Sequence, residues 1–116
     1  SPQLARALLG PGKIIGVSAT NMAEAEAAVA DGADYLGVGP VYPTISKDCK
    51  IDACGLDVLA EIAARVPVPV VAIGGITPEN TAPLLKSGAA GIAVISAILG
   101  AVDPVRVIRD FIKVFI

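Results

Sequence analysis

Histidine and tryptophan are absent from this 116-residue chain, and two tyrosines and two phenylalanines are its only aromatic rings. Without imidazole there is no side chain that ordinarily titrates near neutral pH, no Ser-His or Cys-His nucleophile pair and no mixed Cys-His zinc set. Cysteine is scarce as well. Cys49 and Cys54 lie close together in a polar stretch and read as reduced, incidental thiols rather than as a disulfide or metal pair. A formal charge of -2 without any basic run excludes the clustered Lys and Arg that neutralise nucleic-acid phosphates. The most apolar stretches, 66–76 and 91–102, are broken by Pro or Gly and fall short of the roughly 18–20 residues that cross a bilayer. No basic segment followed by an apolar core and a cleavage site opens the chain, which therefore reads as cytoplasmic, while Ser1-Pro2-Gln3 looks like the start of a piece cut from something longer. With nucleic acid and membrane set aside, the expected partner is a small molecule.

What is present is aliphatic: 54% of the residues are apolar, and Val, Ile, Leu and Ala must fill the core of one small domain. Residues 14–40 (IIGVSATNMAEAEAAVADGADYLGVGP) lie without a gap over residues 70–96 (VVAIGGITPENTAPLLKSGAAGIAVIS), matching class for class. Asn21 falls on Thr77, and Gly32-Ala33 on Gly88-Ala89. A unit of about fifty residues is longer than a solenoid repeat and reads as β-α-β-α, used twice.

Four continuous apolar runs, 14–18, 34–39, 68–74 and 91–96, predict parallel strands covered on both faces. Between them, capping chemistry marks the helices. An opening helix over 3–9 stops at Gly10-Pro11-Gly12. Thr20 or Asn21 caps 22–30, which Asp31-Gly32 ends, and Gly55-Leu56 leads into 57–65. Thr77-Pro78 and Asp103-Pro104 each place a capping side chain before a proline at the first helical position. Parallel strands joined by helices close into a barrel or an open doubly wound sheet. Four βα units make half of an eightfold barrel, with two unpaired edges and an uncovered face that something else must cover.

In such barrels the working groups sit at the carboxyl ends of the strands. That rule selects Ser18, the stretch 39–50, Gly74-Gly75 and Ile95-Ser96. Glycines after one strand, and amides at a helix start after the next, together resemble an anion site, although a glycine pair also serves simply to make a tight turn. Ser96 is open to a capping role. In Pro40-Val41-Tyr42-Pro43-Thr44-Ile45-Ser46-Lys47, two hydroxyls and a cation crowd into a few residues, which suits phosphate or pyrophosphate better than a solvated loop requires. Ser18 is either a hydrogen-bond donor or a strand-end cap. Asp31 and Asp34 read as serving a helix end and a strand start. Glu24, Glu26, Asp57 and Glu61 read as solvated helix surface.

Taken in order, G-V-S-A-T, D-Y-L-G-V-G-P-V-Y-P-T-I-S-K, V-A-I-G-G-I and G-I-A-V-I-S-A-I resemble the thiamine-phosphate synthase family over nearly the whole chain. The resemblance implies an α/β fold in which these parallel βα units form the second half of a TIM (βα)8 barrel, strands five to eight. It implies a transferase of thiamine biosynthesis that joins a hydroxymethylpyrimidine pyrophosphate to a thiazole phosphate, releasing pyrophosphate with Mg2+. Carried onto this sequence, Ser18 and Lys47 resemble pyrophosphate ligands with catalytic roles, Thr44 and Ser46 thiazole contacts, and Gly75, Ile95 and Ser96 the thiazole-phosphate pocket. The family's metal-binding aspartates and its Q-x-R-x-K motif belong to the first four strands and have no counterpart here. No metal ligand is therefore expected in this segment, which should be inactive alone and completed by an amino-terminal half-barrel or by self-association. Two alternatives remain open at this point: a thiazole tautomerase relative, distinguished by a histidine where this chain has Ser18, and a non-catalytic, self-associating half-barrel that binds phosphate.

Overall fold

The computed structural model describes the backbone of residues 1–46 and 49–116, and the side chains of residues 1–43 and 52–116. Helix α1 (Pro2–Leu9) begins where the Ser1 hydroxyl accepts from the Leu4 N–H at 3.2 Å, and ends at Gly10 with φ 88°. After β1 (Gly16–Ala19), Asn21 caps the Ala-rich α2 (Met22–Ala30) by accepting from the Glu24 N–H at 2.8 Å. Alanine loses no side-chain entropy in a helix, so this short segment needs little besides its cap and its buried Ala25 and Ala28. Strand β2 (Tyr35–Val38) follows.

The next stretch departs from expectation. Residues 39–50 read as one long loop, yet an antiparallel hairpin, β3 (Thr44–Ser46) with β4 (Cys49–Ile51), begins within them. Helix α3 (Gly55–Arg65) starts ahead of the predicted position because its first amides find acceptors in the loop after β2: Cys54 N–H donates to the Pro40 carbonyl at 2.8 Å, and Gly55 N–H to that of Val41 at 3.1 Å. Strand β5 (Val70–Ile73) leads to a 3-10 turn (Pro78–Asn80) and the four-residue α4 (Ala82–Leu85). Pro83 explains why this segment is not one helix like its counterpart α2: Pro78 sits at the first position, where a proline is tolerated, whereas Pro83 falls in what would be the interior, lacks an N–H and crowds the preceding turn. Strand β6 (Gly91–Ala93), α5 (Ser96–Leu99) and α6 (Pro104–Phe115) complete the chain, with Asp103 capping α6 through the Arg106 N–H at 3.2 Å. The duplicated halves keep their turns too: Gly32 and Gly88, aligned in sequence, both take positive φ, 94° and 91°.

The four longer strands form one parallel sheet in the order β1-β2-β5-β6. Its two faces differ. Register aligns Ala19 with Val38 and Leu36 with Val70, and these residues join Ala72 in a buried layer against Ala25 and Ala28 of α2 and Leu59 and Ile62 of α3. On the opposite face lie Gly16, Ser18, Tyr35, Gly37, Val71, Ile73, Gly91 and Ala93, none of them buried. The continuous apolar strands predicted cover on both sides, and among the described residues only one side has it. Strand hydrophobicity reports what a face is suited to, not which element of this chain covers it. Leu36 is fully buried, so Leu36→Ala should cost about 2–5 kcal/mol, measured by urea denaturation.

At the amino ends of the strands, Asp34 ties three elements together. Its carboxylate accepts from the Ile15 N–H and from Arg6 of α1, each at 2.7 Å, while its own N–H donates to the Ile15 carbonyl. The Ile15 amide and, after it, the Arg6 guanidinium hold the Asp34 carboxyl below its ordinary value. A depressed folded pKa contributes stability that is complete above the unfolded carboxylate value and lost as pH falls through the folded one. Protection factors of the α1 amides, taken relative to their intrinsic exchange rates, should therefore fall as the solution is acidified through that window, and Asp34→Asn should remove this dependence. Asp31 lies at the C-cap of α2, as expected, whereas Glu24 is more than solvated surface. Its carboxylate receives the Thr20 hydroxyl and the Thr20 N–H, the first being the larger cause of its lowered pKa.

Candidate functional site

The candidate site is built at the carboxyl ends of β5 and β6. Gly74 and Gly75 carry the chain off β5 with φ 100° and 70°, backbone conformations that residues with a Cβ rarely adopt. Space demands glycine as well. A Cβ on Gly74 would lie 2.6 Å from Pro40 Cβ, and one on Gly75 would lie 2.9 Å from both the Cβ and the carbonyl oxygen of Tyr42. The backbone of the β2 loop has taken the place a side chain would need.

Two main-chain bonds continue that contact. Val41 N–H donates to the Ile73 carbonyl at 2.9 Å and Tyr42 N–H to the Gly74 carbonyl at 3.2 Å. On the far side of the turn, Thr77 and Asn80 make a reciprocal cap: the Asn80 side chain accepts from the Thr77 N–H at 2.8 Å while its amide donates to the Gly75 carbonyl at 2.9 Å. The Tyr42 hydroxyl donates to the Asn80 carbonyl at 2.6 Å, and the buried Thr81 hydroxyl to the Thr77 carbonyl at 2.6 Å. Burial raises the Tyr42 pKa, so the phenol remains a proton donor beyond its usual range.

A cavity of about 220 Å3 lies between the two strand ends. Gly74, Gly75 and Ile76 line one side, and Val94, Ile95, Ser96 and Ala97 the other. Thus the glycine turn and the Ile95-Ser96 segment, singled out together by their positions after successive strands, border one space. Among the described residues no backbone or side-chain oxygen accepts from the N–H of Gly75, Ile76, Ser96 or Ala97. Ser96 opens the short α5, whose later amides bond back to Ile95 and Ser96. Amides without an acceptor among the described residues, on two turns that border one small concavity, suit a compact anion.

Ser18 lies elsewhere. It projects from β1 onto the open face and lines a larger, mainly apolar hollow of about 610 Å3 with Tyr35, Gly37, Val71 and Ala93. Ile73 and Ala93 border both spaces, so the hollow and the small cavity are neighbours along the β5–β6 seam. Of the remaining predicted residues, Thr44 and Ser46 have backbones in β3, with side chains outside the described set, and Lys47 lies outside the described residues. Pro43, immediately before β3, would have its carbonyl oxygen 3.1 Å from a Gly75 Cβ, so the hairpin departs directly from the glycine turn. Cys54 is a partly buried free thiol whose pKa burial raises, which makes it a poor nucleophile. Among the described residues no three His, Cys, Asp or Glu side chains converge as a metal site would require, and no helix is long and apolar enough to cross a membrane.

Sequence reasoning did not assign a role to Tyr42 or Asn80. The Asn80 position had a local signal, Thr followed three residues later by an amide, which is the capping-box spacing. Tyr42 had none, because its partner is 38 residues away in the chain.

Comparison with known proteins supplies independent findings. A family model described as thiamine monophosphate synthase matches residues 1–98. A thiamine-phosphate synthase of Moorella thermoacetica is 52% identical over 100 residues, which cover 86% of this chain and 48% of that protein. Another, from Chloroflexus aurantiacus, is 50% identical over 107 residues, covering 92% of this chain and 49% of its own length. Among solved structures, a thiamine phosphate pyrophosphorylase from Pyrococcus furiosus superimposes with a TM-score of 0.87 at 41% identity, over 98% of this chain and 54% of that one. The chain spans about half the length of the curated relatives it matches.

Proposed function

Because this chain belongs to the thiamine monophosphate synthase family, we propose that it acts in thiamine biosynthesis as the second half of a synthase barrel, supplying the thiazole-phosphate pocket and part of the pyrophosphate site. The observation that carries this reading is the shared cavity between the Gly74-Gly75 turn and Ile95-Ser96. Its size suits a phosphate, and its amides are oriented by the backbone before any ligand arrives, so little reorganisation accompanies binding.

The half-barrel rests on the shape of the sheet. Among the described residues, strands β1 and β6 each have a partner on one side only, and the face carrying Ser18, Tyr35, Val71 and Ile73 is open. A closed barrel would bury that face as its interior and pair both edges. In the completed site the pyrimidine pyrophosphate would lie across the hollow beside Ser18, next to the thiazole held by its phosphate. The reaction breaks the bond between the pyrimidine methyl carbon and the pyrophosphate oxygen, which leaves with the bonding electrons, and the thiazole nitrogen donates its lone pair to that carbon. Ser18 would hydrogen-bond the departing pyrophosphate and Lys47 would balance its growing charge, while Thr44 and Ser46 would position the thiazole. Mg2+ is the cofactor of this reading. The described residues do not fit an ion site, so its ligands are assigned to the other half, and no step is derived through it.

Two experiments test these assignments. Titrating the labelled chain with inorganic phosphate should shift the amide signals of Gly75 and Ser96 saturably; no response at either would remove the pocket. In the completed enzyme, Lys47→Ala should weaken pyrophosphate binding by about tenfold or more with the fold unchanged, as expected for losing one interaction between charged groups. An unaltered pyrophosphate affinity would take Lys47 out of the site.

A further inference from the structure

The phosphate pocket is made of backbone, and a backbone site is only as good as the groups that fix its peptide planes. The Gly74-Gly75 turn has two glycines in succession at positive φ, so its own torsional preferences do not hold it in one shape. It is held instead from both sides. Tyr42 N–H grips the Gly74 carbonyl and the Asn80 side chain grips the Gly75 carbonyl, while the Tyr42 hydroxyl closes the ring onto the Asn80 carbonyl at 2.6 Å.

We propose that Tyr42 and Asn80 are positioning residues for the phosphate pocket: their shared hydrogen bond locks the glycine turn in the shape that lines the cavity and fastens that shape to the root of the β3–β4 hairpin. The inference rests on the phosphate reading and deepens it. Tyr42 stands two residues before Thr44, the first residue of β3, so the turn on the phosphate side and the hairpin carrying Thr44 and Ser46 share one anchor. Removing the phenol hydroxyl leaves the ring to pack but frees the Asn80 carbonyl and relaxes the turn. Neither residue need touch the ligand for this to matter.

The test uses the intact, isotope-labelled chain, inorganic phosphate as the probe and the amide signals of Gly75 and Ser96 as the readout. Tyr42→Phe keeps the volume of the side chain and should fold. Its phosphate affinity is expected to fall about fivefold, the effect of one uncharged hydrogen bond. Its Gly75 signal should already differ before phosphate is added, while those of Leu36 and Leu84 in the core stay in place. Asn80→Ala removes both the cap and the tie to Gly75 and should weaken binding further. Phosphate affinity and a free-state Gly75 signal indistinguishable from the parent in Tyr42→Phe would overturn the proposal. If the parent chain itself gives no phosphate response at Gly75 and Ser96, the pocket reading fails and the brace fails with it, a result distinct from a pocket that binds equally well without the hydroxyl.

Discussion

Replacing Gly74 by alanine is expected to abolish useful phosphate binding and to lower stability at the same time. The residue sits at φ 100°, where a Cβ is strained, and that Cβ would meet Pro40 Cα at 2.5 Å and Pro40 Cβ at 2.6 Å. Backbone strain of this kind costs about 1–3 kcal/mol, and forcing an extra carbon into an occupied space adds roughly another 1–3 kcal/mol. The turn relieves both by moving away from the β2 loop, which carries the Gly75 and Ile76 amides off the cavity. A hydrogen bond to a charged group contributes about 1.5–3 kcal/mol, so the expected loss of phosphate affinity is about 10- to 100-fold. Denaturant unfolding and phosphate titration of the same variant separate the two effects. Retention of full affinity would show that the glycines serve only the turn.

A second large effect is expected on the open face. Val71 sits in the middle of the sheet, opposite Gly37 on one side and Gly91 on the other, and lines the apolar hollow. In the isolated chain a carboxylate at this position reaches water, so Val71→Asp should change the unfolding free energy little. Once another half-barrel covers the face, the same carboxylate is buried without a partner, at about 3–5 kcal/mol. Association should therefore weaken by about two orders of magnitude or more, seen by analytical ultracentrifugation of the variant with the complementary half. Binding equal to that of the parent chain would mean that this face stays exposed, against the barrel reading.

The alternation of strands and helices was legible because its signals are local. Asn21 before an alanine-rich run, Asp103 before Pro104, and glycine at 10, 32, 74, 75 and 88 each act within a few residues, and each is found doing what its chemistry predicts. The convergence of Gly74-Gly75 with Ile95-Ser96 was legible for a related reason, since parallel strands adjacent in the sheet bring their carboxyl ends together. The rest depends on partners distant in the chain. The β3–β4 hairpin escaped notice because three-residue strands offer too short a pattern to distinguish from loop. The replacement of a helix by a 3-10 turn and the short α4 follows from Pro83, whose effect within the repeat was overlooked beside that of Pro78. Apolar strands could not reveal which face this chain leaves open. Tyr42 and Asn80 meet only when β2 and β5 pair, so no window along the sequence contains both. Ser18 was selected by its place at a strand end, but only the pleat shows that it faces the larger hollow on the open face and not the small cavity.

The central claim is that this chain carries one half of a catalytic barrel and needs the other to work. Its most direct test is to mix the chain with a separately produced amino-terminal half of a family member, together with both phosphorylated substrates and Mg2+, and to assay thiamine phosphate. The account predicts no product from either half alone and product from a one-to-one complex. A stable mixed complex that makes none, or full activity from the 116-residue chain by itself, would contradict it.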